Sequence, residues 1–296
     1  MENFIEIEYK CAFPFPHNSI YTLHYFIPNT PTLLLYDTRT KEVSKHTLKD
    51  PPSASARYFS SINVQDRIIL CGGYKGLSSY SNATFEFRIS NSSFFQKAQM
   101  VNPKYKHALV DFRNTLVYSV GGTADGTYNS CNYCEKYDII DNKWEKAPYL
   151  NEKKVCVCAV NYNDMFIFTF GGTCQNGVTA AIEKFNTLKE QNGWSFVTLK
   201  RADGWTAREG CISMQVNNTD VILFGGSKNE SFSFDCEETL KKHSALLNVT
   251  KVYDCSQPPI IYSSMVYAIG DDQHIHIYSV LSGKWNIVPK QEWIPT

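Results

Sequence analysis

The sequence has no charge imbalance: among 296 residues, 29 Lys+Arg stand against 29 Asp+Glu, a formal +0. Non-specific nucleic-acid binding draws on a net basic surface, so that class of function is not expected beyond a local basic patch. Long apolar runs are missing too. Met165–Phe170 is typical of the longest, far short of the roughly 18 residues that span a bilayer, and no membrane association is expected. Met1–Tyr9 carries Glu2, Glu6 and Glu8 and lacks a basic n-region or long apolar h-region. No secretory leader is read there, and a cytoplasmic protein is expected. The ten cysteines are scattered, several in strand-like runs (Cys71, Cys156, Cys158); in a reducing compartment they act as small buried apolar groups. The sequons at Asn82 and Asn248 then stay unmodified. Phosphate-binding glycine loops, G-x-S-x-G and H-E-x-x-H are all lacking, so enzyme signals are poor. Segments of 3.6-residue periodicity are absent as well, which excludes a helical fold.

What is present is a repeat. An apolar run, Leu116–Val120, ends in Gly121-Gly122; a polar loop, Tyr137 and Trp144 follow. Equivalent glycines fall at Gly72, Gly121, Gly171, Gly225 and Gly270, spaced by 49, 50, 54 and 45 residues. A degenerate unit fits before them, giving six units, at about 1–50, 51–100, 101–150, 151–203, 204–254 and 255–290, in a single domain 1–296. Each reads as four short β-runs separated by turn residues. The third, for example, has runs at Lys106–Phe112, Thr115–Val120, Cys134–Ile139 and Lys143–Lys146. In the first, Ile5–Tyr9, Ile20–Ile27, Leu33–Tyr36 and Val43–Leu48 are expected strands, and Pro28-Asn29-Thr30-Pro31 replaces the Gly-Gly turn. In the fifth, residues Asp235–Leu247 either begin a helix, with Asp235 as cap and Glu238 at the capping-box position, or supply a fourth strand at His243–Leu247. In the sixth, Asp271 replaces the second glycine. Four-stranded units repeated six times close radially and protect their edges.

The aromatic spacing has a mechanical reason. Tyr36 to Val43, Phe87 to Phe94, Tyr137 to Trp144 and Tyr278 to Trp285 are each seven apart; Phe185 to Trp194 is nine apart, with Gln191-Asn192-Gly193 lengthening the turn. A short hairpin places such a pair side by side on one face, which is expected to pack on the next unit. Each fully buried large side chain contributes roughly 1.5–3 kcal/mol.

Gly72-Gly73, Gly121-Gly122, Gly171-Gly172 and Gly225-Gly226, each after an apolar strand with an aromatic residue downstream, resemble kelch repeats. The resemblance covers roughly residues 20–288. It implies an all-β, six-bladed kelch-type β-propeller of four antiparallel strands per blade, lettered a to d outward from the central channel. Closure is left open, because Phe4–Tyr9 could be an inner strand of blade one or an outer strand of blade six. Such propellers commonly bind a protein partner on the face built from the d–a and b–c loops. They often follow BTB or F-box segments; room for neither is expected here, and the chain is expected to act alone or as a subunit. The family often carries Arg just before strand a, and here Arg57, Lys106, Lys154 and Arg208 are matched to that place. Tyr74, Thr123, Thr173 and Ser227 follow the glycine pairs, and Trp205 precedes Arg208.

Two readings follow. These cations form a ring at the channel mouth that favours an acidic peptide by charge-assisted hydrogen bonds, or they cap strand ends and pair with acids such as Glu152 and Glu209. Trp205 is either an exposed anchor or a lid over the core. The expected function is a non-catalytic protein-binding module of unidentified partner, with no cofactor and no metal. The alternative is an isomerase- or lyase-type enzyme gripping a carboxylate substrate with Arg57 and Arg208. Some kelch propellers are enzymes, but the copper site of the oxidases cannot be placed here. Cys131-x-x-Cys134 is half a zinc pattern without a second pair, while Cys156-x-Cys158 and His274-x-His276 read as packing.

Overall fold

The computed structural model describes residues 21–49, 51, 57–124, 132–243 and 259–294, apart from Pro28, Asn229, Cys236 and Asp271. It is a six-bladed β-propeller whose sheets follow sequence order. Blade two comprises Ser60–Val64, Arg67–Cys71, Thr84–Arg88 and Ser93–Lys97. Blade three comprises Ala108–Phe112, Leu116–Val120, Cys134–Asp138 and Lys143–Ala147. Blade four comprises Cys158–Tyr162, Phe166–Phe170, Ile182–Asn186 and Trp194–Phe196, and blade six Ile260–Tyr262, Met265–Ile269, Ile275–Ser279 and Trp285–Val288. All four are antiparallel meanders. In blades three, four and six, strands a and b meet at two-residue turns with both residues at positive φ, such as Arg113-Asn114 (55° and 56°) and Asn163-Asp164 (54° and 49°). This turn geometry matches the twist of the flanking strands, and after glycine it is Asn and Asp that tolerate it best.

Blades one and five depart from the pattern. Blade one has three described strands, Thr22–Phe26, Thr32–Asp37 and Val43–Thr47; the expected strand at Ile5–Tyr9 lies outside the described residues. Blade five has Cys211–Gln215, Asp220–Gly225, Ser231–Asp235 and Thr239–Lys242, with Arg201–Ala202 added in parallel at its outer edge. Its fourth strand therefore comes earlier than the expected His243–Leu247, of which 244–247 lie outside the described residues, and Thr239–Lys242 is strand where the alternative placed a helix. The Asp235 carboxylate accepts hydrogen bonds from the N–H of Glu237 (3.0 Å) and Thr239 (3.0 Å), closing a turn that leads directly into the strand.

The core is divided among the blade interfaces. Each of six apolar clusters joins two successive blades. Ile69 and Cys71 pack with Tyr137 and Trp144 between blades two and three, and Phe112 and Tyr118 pack with Phe185 and Trp194 between three and four. The aromatic pairs are in register, Tyr137 opposite Trp144 and Phe185 opposite Trp194, with ring centroids 5.0 and 5.2 Å apart. Their direction differs from expectation, because they face the preceding blade. The Trp144 indole N–H donates to Thr84 Oγ1 of blade two (3.0 Å), and that of Trp194 to the Pro148 carbonyl (2.9 Å). The ring closes through Trp293, beyond the last strand. Its side chain is buried against Tyr25 of blade one, with centroids 5.4 Å apart, and it donates to the Gln273 carbonyl of blade six (3.0 Å). Cys71, Cys134, Cys156, Cys158, Cys174 and Cys211 are free thiols. Among the described residues no helix is long and apolar enough to cross a membrane.

Candidate functional site

The glycine pairs hold one blade to the next. The N–H groups of Gly73, Gly122 and Gly172 donate to the carbonyls of Lys104 (2.9 Å), Lys154 (3.1 Å) and Arg208 (2.8 Å), each in the d–a loop leading into the following blade. Gly171 shows why glycine is needed: its φ is +62°, and a Cβ there would collide with the Arg208 carbonyl oxygen. The three cations are buried. Lys104 Nζ lies 3.8 Å from Glu135, Lys154 Nζ 3.0 Å from Glu183, and the Arg208 guanidinium 2.9 Å from Glu230. Glu135 also accepts the N–H groups of Val101 (2.9 Å) and Asn102 (3.0 Å), and Glu183 that of Asn151 (2.8 Å). A buried carboxylate satisfied by backbone N–H groups and one cation fixes the loop, and breaking such a pair costs far more than forming it gains.

The four cations matched by sequence occupy three different registers. Arg57, Tyr105 and Val155 are equivalent, bridging Tyr74, Thr123 and Thr173 across the loop. Lys154 and Arg208 stand one residue before that position, as does Lys104, while Lys106 stands one after it. Lys154 and Arg208 are thus turned inward into ion pairs. Arg57 is exposed and Lys106 half-buried on the d–a and b–c face. Thr123 and Thr173 are buried, and Thr173 donates to Glu209. Ser227 Oγ accepts the Glu209 N–H at 3.3 Å. Trp205 folds over the core: its indole N–H donates to the Ala180 carbonyl (2.9 Å), its ring packs on Phe232, and the Arg208 guanidinium lies 4.2 Å from its centroid.

Sequence reasoning missed the surface this creates on blades two and three. The b–c loop of blade two folds into a hairpin, Tyr74–Gly76 with Ser79–Tyr80. It brings Tyr74 and Tyr80 to Tyr105, with centroids 5.6 and 5.3 Å apart, the latter pair nearly parallel at 8°. Tyr58 joins them at 6.1 Å, and Lys106 Nζ sits 5.1 Å from its ring. Tyr58 is 39% exposed, Leu77 at the hairpin tip is fully exposed, and Arg57 and Lys75 flank the cluster. Tyr58, Tyr74, Tyr80 and Tyr105 follow no periodic spacing in the sequence, and the adjacent Tyr74-Lys75 and Tyr105-Lys106 pairs were the available hint.

At the opposite end, where the a–b turns gather, the channel holds a cavity of about 420 Å³ lined by inner-strand residues of blades two to six, including Asp111. Arg57 and Arg208 are not among the residues that line it. Burial, and then the neighbouring Asp164 carboxylate, push the Asp111 carboxyl up to about 7, opposed in part by the Asn114 and Phe112 N–H groups. In blade six, Asp272 accepts His274 Nδ1 (3.0 Å) and His276 Nε2 (3.1 Å). Burial raises its carboxyl, but these hydrogen bonds outweigh that and hold it down at about 2. Among the described residues no group of three or more His, Cys, Asp or Glu is placed to hold a metal ion; Cys131 lies outside them.

Radial sheets with glycine pairs latched to the next blade define a six-bladed propeller of the kelch type. The kelch motif model matches residues 106–151. The chain is 26% identical over 162 residues to Kelch repeat and BTB domain-containing protein 2 of Cowpox virus (strain GRI-90 / Grishak), covering 53% of this chain and 27% of that protein. It is 28% identical over 147 residues to the protein of the same name from strain Brighton Red, covering 48% and 24%. The chain spans about a quarter of the length of these curated relatives. The solved structure of YjhT superposes with a TM-score of 0.69 at 11% identity over 92% of this chain and 98% of that one, a likeness of fold. Residues 106–151 thus carry a kelch motif, and the chain is similar to kelch-repeat proteins.

Proposed function

We propose that the chain is a non-catalytic binding module that presents its d–a and b–c face to a protein partner. The observation that carries this reading is the half-exposed cluster of Tyr58, Tyr74, Tyr80 and Tyr105 with Lys106 beside it. Tyrosines supply large, rigid, amphipathic contact area at low entropic cost and are enriched at energetic centres of interfaces. Arg57, Lys75 and Lys106 around the cluster favour an acidic segment in the partner, by steering and by charge-assisted hydrogen bonds. Lys154, Arg208, Thr123, Thr173, Ser227 and Trp205 serve in this reading to hold the loops that carry the surface. A single propeller domain acting in the cytoplasm, without nucleic-acid or membrane contact, belongs to the same proposal.

The test is photo-crosslinking in cell extract from a reactive residue at position 58, with position 140, on a c–d turn of the opposite face, as control. Adducts should form at 58, and the double substitution Arg57→Ala/Tyr105→Ala should remove them while leaving the urea midpoint near wild type. Adducts that form equally from 140, or survive the double substitution, would refute the reading.

A further inference from the structure

We infer that the channel end bounded by the a–b turns is a binding site for a compact organic cation, an amidinium, guanidinium or primary ammonium, held by Asp111. The cavity of about 420 Å³ lies in the range of small-molecule sites. Its walls are apolar, from residues such as Ile62, Leu109, Val160 and Ile260, and its end is polar. This is the face opposite the tyrosine cluster, so the inference does not rest on the proposed protein interface.

The register of the inner strands shows what is unusual at Asp111. Asn63, Asp111 and Asn161 are the fourth residues of strand a in blades two, three and four, opposite Ile68, Val117 and Ile167. Two of the three bridge to the preceding blade by donating a side-chain N–H to its backbone. Asn63 Nδ2 reaches the Thr22 carbonyl (2.9 Å), and Asn161 Nδ2 reaches the Asp111 carbonyl (3.0 Å). At the third, an ionised carboxylate has no N–H to give. Among the described residues nothing donates to the buried Asp111 Oδ1, nor to Asn63 Oδ1, but only at Asp111 does the orphaned acceptor belong to a carboxylate. A buried acceptor without a donor is costly, and a ligand that brings a donor recovers that cost.

The charges around the cavity set the ligand's sign. Among its described lining residues the ionisable groups are Asp111, Asp164 and Arg113. Arg113 is already held within the lining: its Nη2 donates to the Asp164 main-chain carbonyl (3.1 Å), and its guanidinium lies 5.1 Å from the Phe112 ring. Two carboxylates therefore face one cation that is already held. A planar cation with paired N–H donors matches a carboxylate in both charge and geometry. Its apolar body would lie along the channel wall.

The probes are benzamidine, a cation, and benzamide, its neutral counterpart of similar shape. Each is titrated into the full chain at pH 7.5 by calorimetry and followed by amide NMR. Benzamidine should bind at least tenfold tighter than benzamide, with shifts at the a–b turns. Asp111→Asn, which installs the residue used in the flanking blades, should erase that preference, and Asp164→Asn should reduce it. Arg57→Ala/Tyr105→Ala should leave it unchanged. Equal affinities of the two probes for wild type, no detectable benzamidine binding at millimolar concentration, or a preference that survives in a folded Asp111→Asn protein would each overturn the inference.

Discussion

Replacing Asp111 by Asn should stabilise the protein by an amount that grows with pH. The carboxyl titrates near 3.8 when the chain is unfolded and at about 7 when folded. Between those values the native state holds a proton that the unfolded state has released. Its folded pKa is raised, so this group's contribution to stability is intact below pH 3.8 and is lost as pH rises to about 7. The slope is about 1.4 kcal/mol per pH unit, and the whole loss about 4 kcal/mol. An amide at this position does not titrate, and Asn63 and Asn161 show that it can donate to the preceding blade. Urea unfolding of both proteins should therefore give nearly equal stabilities at pH 4, with Asp111→Asn ahead by about 4 kcal/mol at pH 8. The difference between the proteins is the diagnostic quantity. Burial holds His24 down at about 4, which gives both proteins an opposing slope between pH 4 and 6.5 that cancels on subtraction. A difference constant across this range would refute the assignment of Asp111 as a buried carboxyl facing Asp164.

Three further outcomes test the fold. Lys154→Met should cost about 3–5 kcal/mol in urea unfolding by stranding the buried Glu183 carboxylate, whereas Lys143→Met, which breaks the exposed Lys143–Glu145 pair (2.6 Å), should leave the urea midpoint near wild type. Gly171→Ala should cost about 1–2 kcal/mol for its left-handed backbone and a further 1–3 kcal/mol for displacing the Arg208 carbonyl; a thermal midpoint unchanged from wild type would contradict the latch. Trp293→Ala should cost about 3–5 kcal/mol and speed amide exchange first in blades one and six, and uniform exchange across all blades would show that ring closure does not depend on it.

The repeat, the strand order and the aromatic pairs were legible because each rests on local physics. A hairpin of fixed length makes Tyr137 and Trp144 neighbours whatever surrounds them, and a chain leaving a strand tightly needs Gly121-Gly122. The fifth blade was harder. Asp235 satisfies nearby N–H groups in a helix cap and in the turn that forms, so the residue alone did not separate the two. The Arg201–Ala202 strand has no pattern of its own and exists because the edge of blade five was open to pair with it.

The candidate site was legible in position but not in detail. Matching cations by their distance from the glycines put Arg57, Lys106, Lys154 and Arg208 together, since loop lengths absorb a shift of one or two residues without trace. Backbone bridges separate them, turning Lys154 and Arg208 inward to Glu183 and Glu230 and leaving Arg57 outside. In the same way, nothing in the sequence marks Asp111 as different from Asn63 and Asn161 until three inner strands are laid side by side around one channel.

The sequence by itself determined the blades, since hydrophobic alternation, turn residues and ring pairs act over fewer than about ten residues. The tertiary structure decided which cations are buried, which tyrosines meet and which carboxyl faces a cavity. Those outcomes depend on burial and on contacts between blades some fifty residues apart, where one residue of register exchanges an exposed charge for a buried one.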